Sequence, residues 1–270
     1  MALHAIVRTV GPMDRRQVLS LMALAGLAAC VSSNEKERSV ETITYGDDAS
    51  QFAELTRAHG ASKGVVVVIH GGFWKSLYDL SLGRPLAASL ATHGWDAYNI
   101  EYRRVGNGGG WPNTFDDVSA GIDALADVDG LDTSTVVTLG HSAGGHLAVL
   151  AAGRTAPTVP VTAAISQAGV LDLATASEEN LGSSAVKAFM GGDAFAQADP
   201  MTQIPLSVPV RCIHGVDDDI VPISQSIGYV DRAKQAGGDA ELIRVEGDHF
   251  VVIDPSSQAW VRTLKVLEAL

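Results

Sequence analysis

The 270-residue sequence predicts an α/β protein with a mostly parallel central sheet, helices on both faces and a small cap. Three observations carry that expectation. Apolar, β-branched runs alternate with segments of helical periodicity along most of the chain. Gly64-Val65-Val66-Val67-Val68-Ile69 is almost wholly apolar, as a strand covered on both faces must be. Gly140-His141-Ser142-Ala143-Gly144 joins the strand-like run Thr135–Leu139 to a helical stretch over Gly144–Ala152, so Ser142 falls on a strand-to-helix turn.

The elements follow in order. Residues 1–29 read as an export signal outside the fold. Arg15-Arg16 precede a mostly apolar run from Val18 to Ala29, too short for a convincing membrane span, which ends Leu27-Ala28-Ala29-Cys30. That ending resembles a lipobox, in which the cysteine is lipidated. Asp14 to Leu19 resembles a twin-arginine signal with Asp in place of the usual Ser or Thr, and Met13 is an alternative start. The expectation is an exported protein of the cell envelope, lipid-anchored at Cys30, with residues 30–39 as a tether and 40–270 as the catalytic domain.

Glu41–Tyr45 and Gln51–Arg57 suggest a leading hairpin around Gly46-Asp47-Asp48. After the Gly64–Ile69 strand come a helix over Leu80–His93, strand Asp96–Tyr102 and helix Thr114–Ala126. Beyond the Ser142 turn and its helix the pattern gives strand Val161–Gln167, an irregular stretch over Val170–Pro205, and strand Val208–Ile213. Helix Ser224–Gln235, strand Ala240–Val245 and a helix from Ser256 to about Glu268 complete the chain. The irregular stretch is short and polar, at the place where the fold this chain resembles carries its cap.

A net charge of −12, with no Lys/Arg cluster on an expected surface helix, argues against nucleic acid and against electrostatic adhesion to an anionic membrane. Besides Cys30 there is one cysteine, Cys212, inside an apolar strand. It has no partner for an intramolecular disulfide and suits a small buried hydrophobe. Two cysteines and no H-E-x-x-H string give no metal site. Gly106–Gly110 lacks the Lys-Ser/Thr of a phosphate loop, so neither metal nor cofactor is expected.

What the pattern does carry is nucleophilic chemistry. G-x-S-x-G alone is a motif that chance supplies, and its context gives it weight. A serine hydroxyl is a weak nucleophile at neutral pH and needs a base, itself oriented by a third group. His249, in the loop after the last strand, is the candidate base. His141 and His146 flank the turn and cannot easily reach round to Ser142 Oγ, while His70 and His214 sit at strand ends and suit loop bracing. The contiguous Asp217, Asp218 and Asp219 offer an acid in the chain order Ser, Asp, His. Asp248 adjoins His249 and suits a turn. Donors to a developing oxyanion are expected from the backbone N–H of Ala143 and from the loop after the Gly64–Ile69 strand, His70-Gly71-Gly72-Phe73-Trp74, with Gly72 and Phe73 in register. Phe73, Trp74 and Trp111 are the candidate substrate-binding residues.

With these residues placed, the mature chain resembles the α/β-hydrolase superfamily. His214-Gly215-x-x-Asp218-x-x-Val221-Pro222 is similar to the acid loop H-G-x-x-D-x-x-V-P of many hydrolases of that fold, and this register selects Asp218. H-G-G-F-W with G-H-S-A-G-G-H-L resembles the bacterial group of kynurenine-formamidase-like enzymes and small carboxylesterases of the feruloyl-esterase type. So do Asn99–Arg104 and Trp111-Pro112-x-x-x-Asp116-Asp117, which brace the active-site entrance in that group. Phe73 departs from the H-G-G-G form of hormone-sensitive-lipase-like esterases. The resemblance implies a serine hydrolase acting on small or aryl carboxylic esters through an acyl-enzyme. Arylformamidase, prolyl-oligopeptidase-like peptidase and an inactive binding protein of the same fold are the alternatives. The implied partner is a small-molecule ester or amide, with a membrane involved only through the N-terminal anchor.

Overall fold

The computed structural model describes residues 40–192 and 195–270. The segments expected to be a signal (1–29) and a tether (30–39), with the expected lipidation residue Cys30, lie outside the described residues.

An eight-stranded sheet runs through the catalytic region in the order β1-β2-β4-β3-β5-β6-β7-β8. β1 (Glu41–Thr44) and β2 (Phe52–Thr56) form the expected hairpin, and β2 pairs antiparallel with β4 (Asp96–Ile100). The others, β3 (Val65–Ile69), β5 (Val136–His141), β6 (Ala163–Gln167), β7 (Val210–Gly215) and β8 (Ala240–Val245), pair in parallel. From β3 the chain goes first to one side, to β4, and then to the other, to β5. The loops after β3 and β5 therefore diverge and leave a crevice at the carboxyl ends of the strands, where sheets of this kind place their ligands.

Alternation along β3 divides the core. Val65, Val67 and Ile69 face helix α2 (Asn113–Asp123) and helix α3 (Ala143–Ala152), through Val118, Ile122 and Leu147. Val66 and Val68 face α1 (Arg84–Thr92) and the last helix, packing among Leu86, Leu90 and Trp260. Cys212 is buried with Tyr229 and Val230 in a third cluster, and burial pushes its thiol up to about 12.

Two local differences from the sequence reading have plain causes. The helix expected over Leu80–His93 is split into a 3-10 turn at Leu80–Leu82 and α1, because Pro85 in the first turn has no N–H to continue a helix through Gly83. The cap is compact, as expected, but it is not a polar surface element. It folds into α4 (Leu173–Glu178), α5 (Ala185–Met190) and a 3-10 turn at Pro200–Gln203, and it inserts Leu173, Val186 and Phe189 into the core cluster that holds β3. Among the described residues most of its polar side chains face out, while Asp199 is buried. Helix α6 (Ser224–Gln235) and helix α7 (Gln258–Ala269) close the fold.

Candidate active site

Ser142 sits between β5 and α3 with φ +56° and ψ −120°, a conformation that a non-glycine residue holds only when its surroundings enforce it. Its N–H donates to Gln167 O at 2.8 Å. The enforcement is steric. A Cβ on Gly144 would stand 2.1 Å from Ile69 O and 2.5 Å from His70 O, so only glycine lets α3 begin this close to β3. Ser142 thus stands at the N-terminus of α3, where backbone N–H groups lack intrahelical acceptors.

The residues expected to work with it converge. Asp218 Oδ2 accepts a 2.7 Å hydrogen bond from His249 Nδ1 and lies 3.1 Å from His214 Nε2. Its other oxygen accepts from the N–H groups of Ile220 (2.9 Å) and Val221 (2.8 Å). Burial by itself would push this carboxyl up. The hydrogen bonds from His214, His249 and Val221 outweigh it and hold Asp218 well below the ordinary carboxylate range. Asp217 and Asp219 are exposed. His249 and Ser142, each 3% exposed, line one pocket. Among the described residues no hydrogen bond joins Ser142 Oγ to His249, a contact that in uncomplexed sites often forms only with substrate in place.

The loop after β3 forms the opposite wall. Gly72 has φ +113°, and a Cβ there would stand 2.4 Å from Tyr78. Phe73 and Trp74 follow at φ +55° and +56°, and Lys75 N–H closes the turn on Gly72 O at 2.9 Å. Two successive non-glycine residues in this region cost on the order of 1–3 kcal/mol each. Trp74 is what holds them: its ring stacks on Phe189 at 4.8 Å, and its indole N–H donates to His146 Nδ1 at 3.3 Å. Among the described residues no hydrogen bond takes up the backbone N–H of Gly72, Phe73 or Ala143, which leaves three donors beside Ser142.

Two of the expected substrate contacts are corrected. Trp74 is 1% exposed and belongs to the core, because the left-handed turn that opens Phe73 to the pocket drives the next side chain inward. Trp111 stacks on Phe115 at 5.7 Å and lines a separate cleft against the cap with Met190 and Phe195, away from Ser142. Phe73 does line the pocket. Gly72 and His141 line it too, and the remaining walls are Tyr78, Leu82, Ile220, Phe250 and Ile253, none of these five singled out from the sequence. Phe250 and Ile220 could have been, since each lies within two residues of a candidate catalytic residue. The pocket holds about 80 Å³.

The neighbouring histidines act as braces. His214 Nδ1 lies 2.8 Å from Ser226 Oγ, and Nε2 lies 2.9 Å from Val221 O. His70 Nδ1 donates to Gly71 O at 2.7 Å, and its Nε2 lies 3.2 Å from Glu101 Oε1. Glu101 also takes the N–H of Leu80 and of Tyr102. Burial would push the Glu101 carboxyl up, but these bonds hold it below its usual value. Arg103 grips Asp117 with two side-chain bonds, at 2.8 and 2.6 Å, joining the Asn99–Arg104 segment to α2. His146 Nε2 donates to Ala198 O at 2.7 Å and so ties α3 to the cap.

Comparison with known proteins agrees with this geometry. The BD-FAE family profile matches residues 54–232, well over half of the chain. The sequence is 29% identical over 194 residues to the probable carboxylic ester hydrolase LipM of Mycobacterium tuberculosis (strain ATCC 25618 / H37Rv), covering 63% of this chain and 45% of that protein. It is 27% identical over 220 residues to esterase LipC of the same organism, covering 71% and 54%. The chain therefore spans about half the length of the curated relatives it matches. Among solved structures, a truncated carbohydrate esterase from gut microbiota superposes with a TM-score of 0.72 at 20% identity, over 86% of this chain and 97% of that one. A thermophilic esterase of Thermogutta terrifontis superposes with a TM-score of 0.70 at 20% identity, over 87% and 92%. These two likenesses establish the α/β-hydrolase fold. With the profile running from β2 to α6, over Ser142 and Asp218, the chain belongs to the BD-FAE family.

Proposed function

We propose that the protein is a serine hydrolase that cleaves carboxylic esters with short acyl groups, aryl esters among them, through an acyl-enzyme. In this reading His249 Nε2 takes the Ser142 Oγ proton as Oγ attacks the ester carbonyl. The N–H groups of Ala143, Gly72 and Phe73 hold the oxyanion. His249 returns the proton to the departing alkoxide, and an acyl-Ser142 remains. Water then attacks that ester, giving its proton to His249, and the acid leaves with Ser142 restored. Asp218 stays ionised and holds His249 in the tautomer whose Nε2 is free to accept.

One observation carries the reading: the 2.7 Å bond from His249 Nδ1 to Asp218, in a pocket shared by His249 and Ser142. Pocket size supports the acyl preference. At about 80 Å³ it is well under the roughly 300–1,000 Å³ of typical small-molecule sites. Tyr78, Leu82 and Phe250 are partly exposed at its edge and offer apolar surface to an aromatic leaving group. The esterase names of the mycobacterial relatives point the same way.

A panel of nitrophenyl esters from acetate to octanoate, run beside N-formylkynurenine and a prolyl amide, tests the proposal. Turnover should be highest on the shortest esters, and Ser142→Ala should lose both turnover and labelling by a fluorophosphonate probe. Near-native turnover by that variant, or faster cleavage of the formamide or the amide, rejects the reading. Export and anchoring through Cys30 belong to the same proposal. Wild-type protein should enter the detergent phase on Triton X-114 partition and Cys30→Ser should not, whereas identical partition of the two argues against the anchor.

A further inference from the structure

Beneath the candidate site, two side chains hold the loop that carries His249. His141, at the end of β5, donates from Nε2 to His249 O at 2.9 Å. Gln167, at the end of β6, donates from Nε2 to Val252 O at 2.5 Å and to Thr263 Oγ1 at 3.3 Å. Each has a second polar atom, and in both cases it is a buried acceptor with no protein partner: His141 Nδ1 and Gln167 Oε1. The orientations are not interchangeable. Turning the Gln167 amide over would press its oxygen against Val252 O, and turning the His141 proton to Nδ1 would set a lone pair against His249 O. Burial, with the nearby His249, pushes His141 down to about 3, so Nδ1 stays an unprotonated acceptor near neutral pH. A buried acceptor left unmet is costly, and here two belong to residues paired across β5 and β6.

Both residues line the same small cavity, whose walls include His70, Gly71 and the apolar side chains of Val68, Leu86 and Leu139. The cavity measures about 10 Å³, close to the least that admits one water molecule. A water has two protons to give, and the cavity wall presents two acceptors that lack one. That volume suits a single fixed molecule rather than a chain of them.

We propose that this cavity is a binding site for one structural water, which donates to His141 Nδ1 and to Gln167 Oε1, and that through it the two residues act together as positioning residues for His249. The arrangement locks both hydrogen-bonding orientations at once. With its Nδ1 satisfied, His141 presents Nε2–H to the carbonyl of His249. With its Oε1 satisfied, Gln167 presents Nε2–H to the carbonyl of Val252, three residues on. The loop is thus pinned at two points, and the imidazole of His249, which packs against that of His141 at 4.5 Å, is kept on the line from Asp218 to Ser142. The kinetic part of this inference rests on the serine-hydrolase reading. The water site does not.

The experiment has two arms. A crystal structure of the full chain at a resolution that places ordered water should show one peak within hydrogen-bonding distance of His141 Nδ1 and Gln167 Oε1. A dry cavity, or a direct bond between the two side chains, overturns the proposal whatever the protein hydrolyses. In the kinetic arm, Gln167→Leu and His141→Leu should each lower kcat on nitrophenyl acetate about tenfold with KM nearly unchanged. His141→Gln, which can keep a donor toward His249 O, should recover most of that loss. The double variant should lose little more than either single one, because the two share one water. Additive losses, or losses expressed in KM alone, overturn the joint positioning role. If the water is present and the parent protein hydrolyses no ester, the functional reading has failed and the site stands.

Discussion

In Asp218→Asn one carboxylate oxygen becomes an amide nitrogen, and the surroundings dictate which. Oδ1 accepts from the N–H groups of Ile220 and Val221 at 2.9 and 2.8 Å, so the surviving oxygen must stay there. The new NH2 then takes the place of Oδ2, 2.7 Å from His249 Nδ1. An amide nitrogen only donates, so His249 Nδ1 must turn acceptor and its proton moves to Nε2, the nitrogen needed as the base. The overall shape is kept while the base is lost. A wrong-tautomer substitution of this kind costs about 10⁴-fold in turnover, which is about 5 kcal/mol of barrier. The assay is kcat/KM on nitrophenyl acetate, beside a thermal melt to establish that the variant is folded. Asp217→Asn and Asp219→Asn serve as controls because both residues are exposed. A folded Asp218→Asn protein within tenfold of the parent refutes the reasoning, as does an equal loss in either control.

Four further outcomes follow from the packing. Trp74→Ala should destabilise the protein by about 3–5 kcal/mol in urea melts, as expected for a buried aromatic. Trp74→Phe should leave the acyl chain-length profile unchanged, whereas Phe73→Ala should shift it toward longer chains, because only Phe73 lines the pocket. Gly144→Ala should fail to give stable protein, since its Cβ would meet backbone oxygens of Ile69 and His70 that cannot rotate away; a normal melting temperature would contradict the close approach of α3 to β3. Burial holds His146 down to about 4 in the folded protein. Between there and the unfolded value of about 6.5 the unfolded chain takes up a proton that the folded state refuses. Its contribution to stability is whole above about pH 6.5 and is lost as pH falls toward 4, on the order of 3 kcal/mol in all. His146→Gln should therefore flatten the stability profile across that window, measured by urea melts from pH 7 to pH 4. An unchanged slope rejects the buried neutral histidine.

Much of this architecture was legible in the residues because period and chain order are local properties. The unbroken apolar run at β3 announces a strand buried on both faces, and its odd and even residues do separate into two core clusters. Helix Ser224–Gln235 and strand Ala240–Val245 lie where periodicity places them. Ser142, Asp218 and His249 could be named because each belongs to a short string whose spacing encodes a turn. Spacing alone left Asp217, Asp218 and Asp219 open; the resemblance of the loop to H-G-x-x-D-x-x-V-P pointed to Asp218, the one of the three that reaches His249.

The pocket was not legible in this way, because a cavity wall is assembled from side chains whose directions depend on distant packing. Trp74 and Phe73 are adjacent aromatics in one motif, yet one is core and the other is wall. The left-handed turn decides it, and Phe189 and His146, remote in sequence, hold that turn in place. Tyr78, Leu82, Ile220 and Ile253 carry no motif and acquire a role only through position. The same holds for Gln167 and His141, whose unmet acceptors meet in one cavity only after β5 and β6 are paired. The sequence by itself determined the sheet, the order of the catalytic strings and the chemistry they can do, since these rest on short-range pattern. Tertiary structure alone decided which side chains enclose the reacting carbonyl and which groups hold the base in line, since those depend on contacts between strands far apart in the chain.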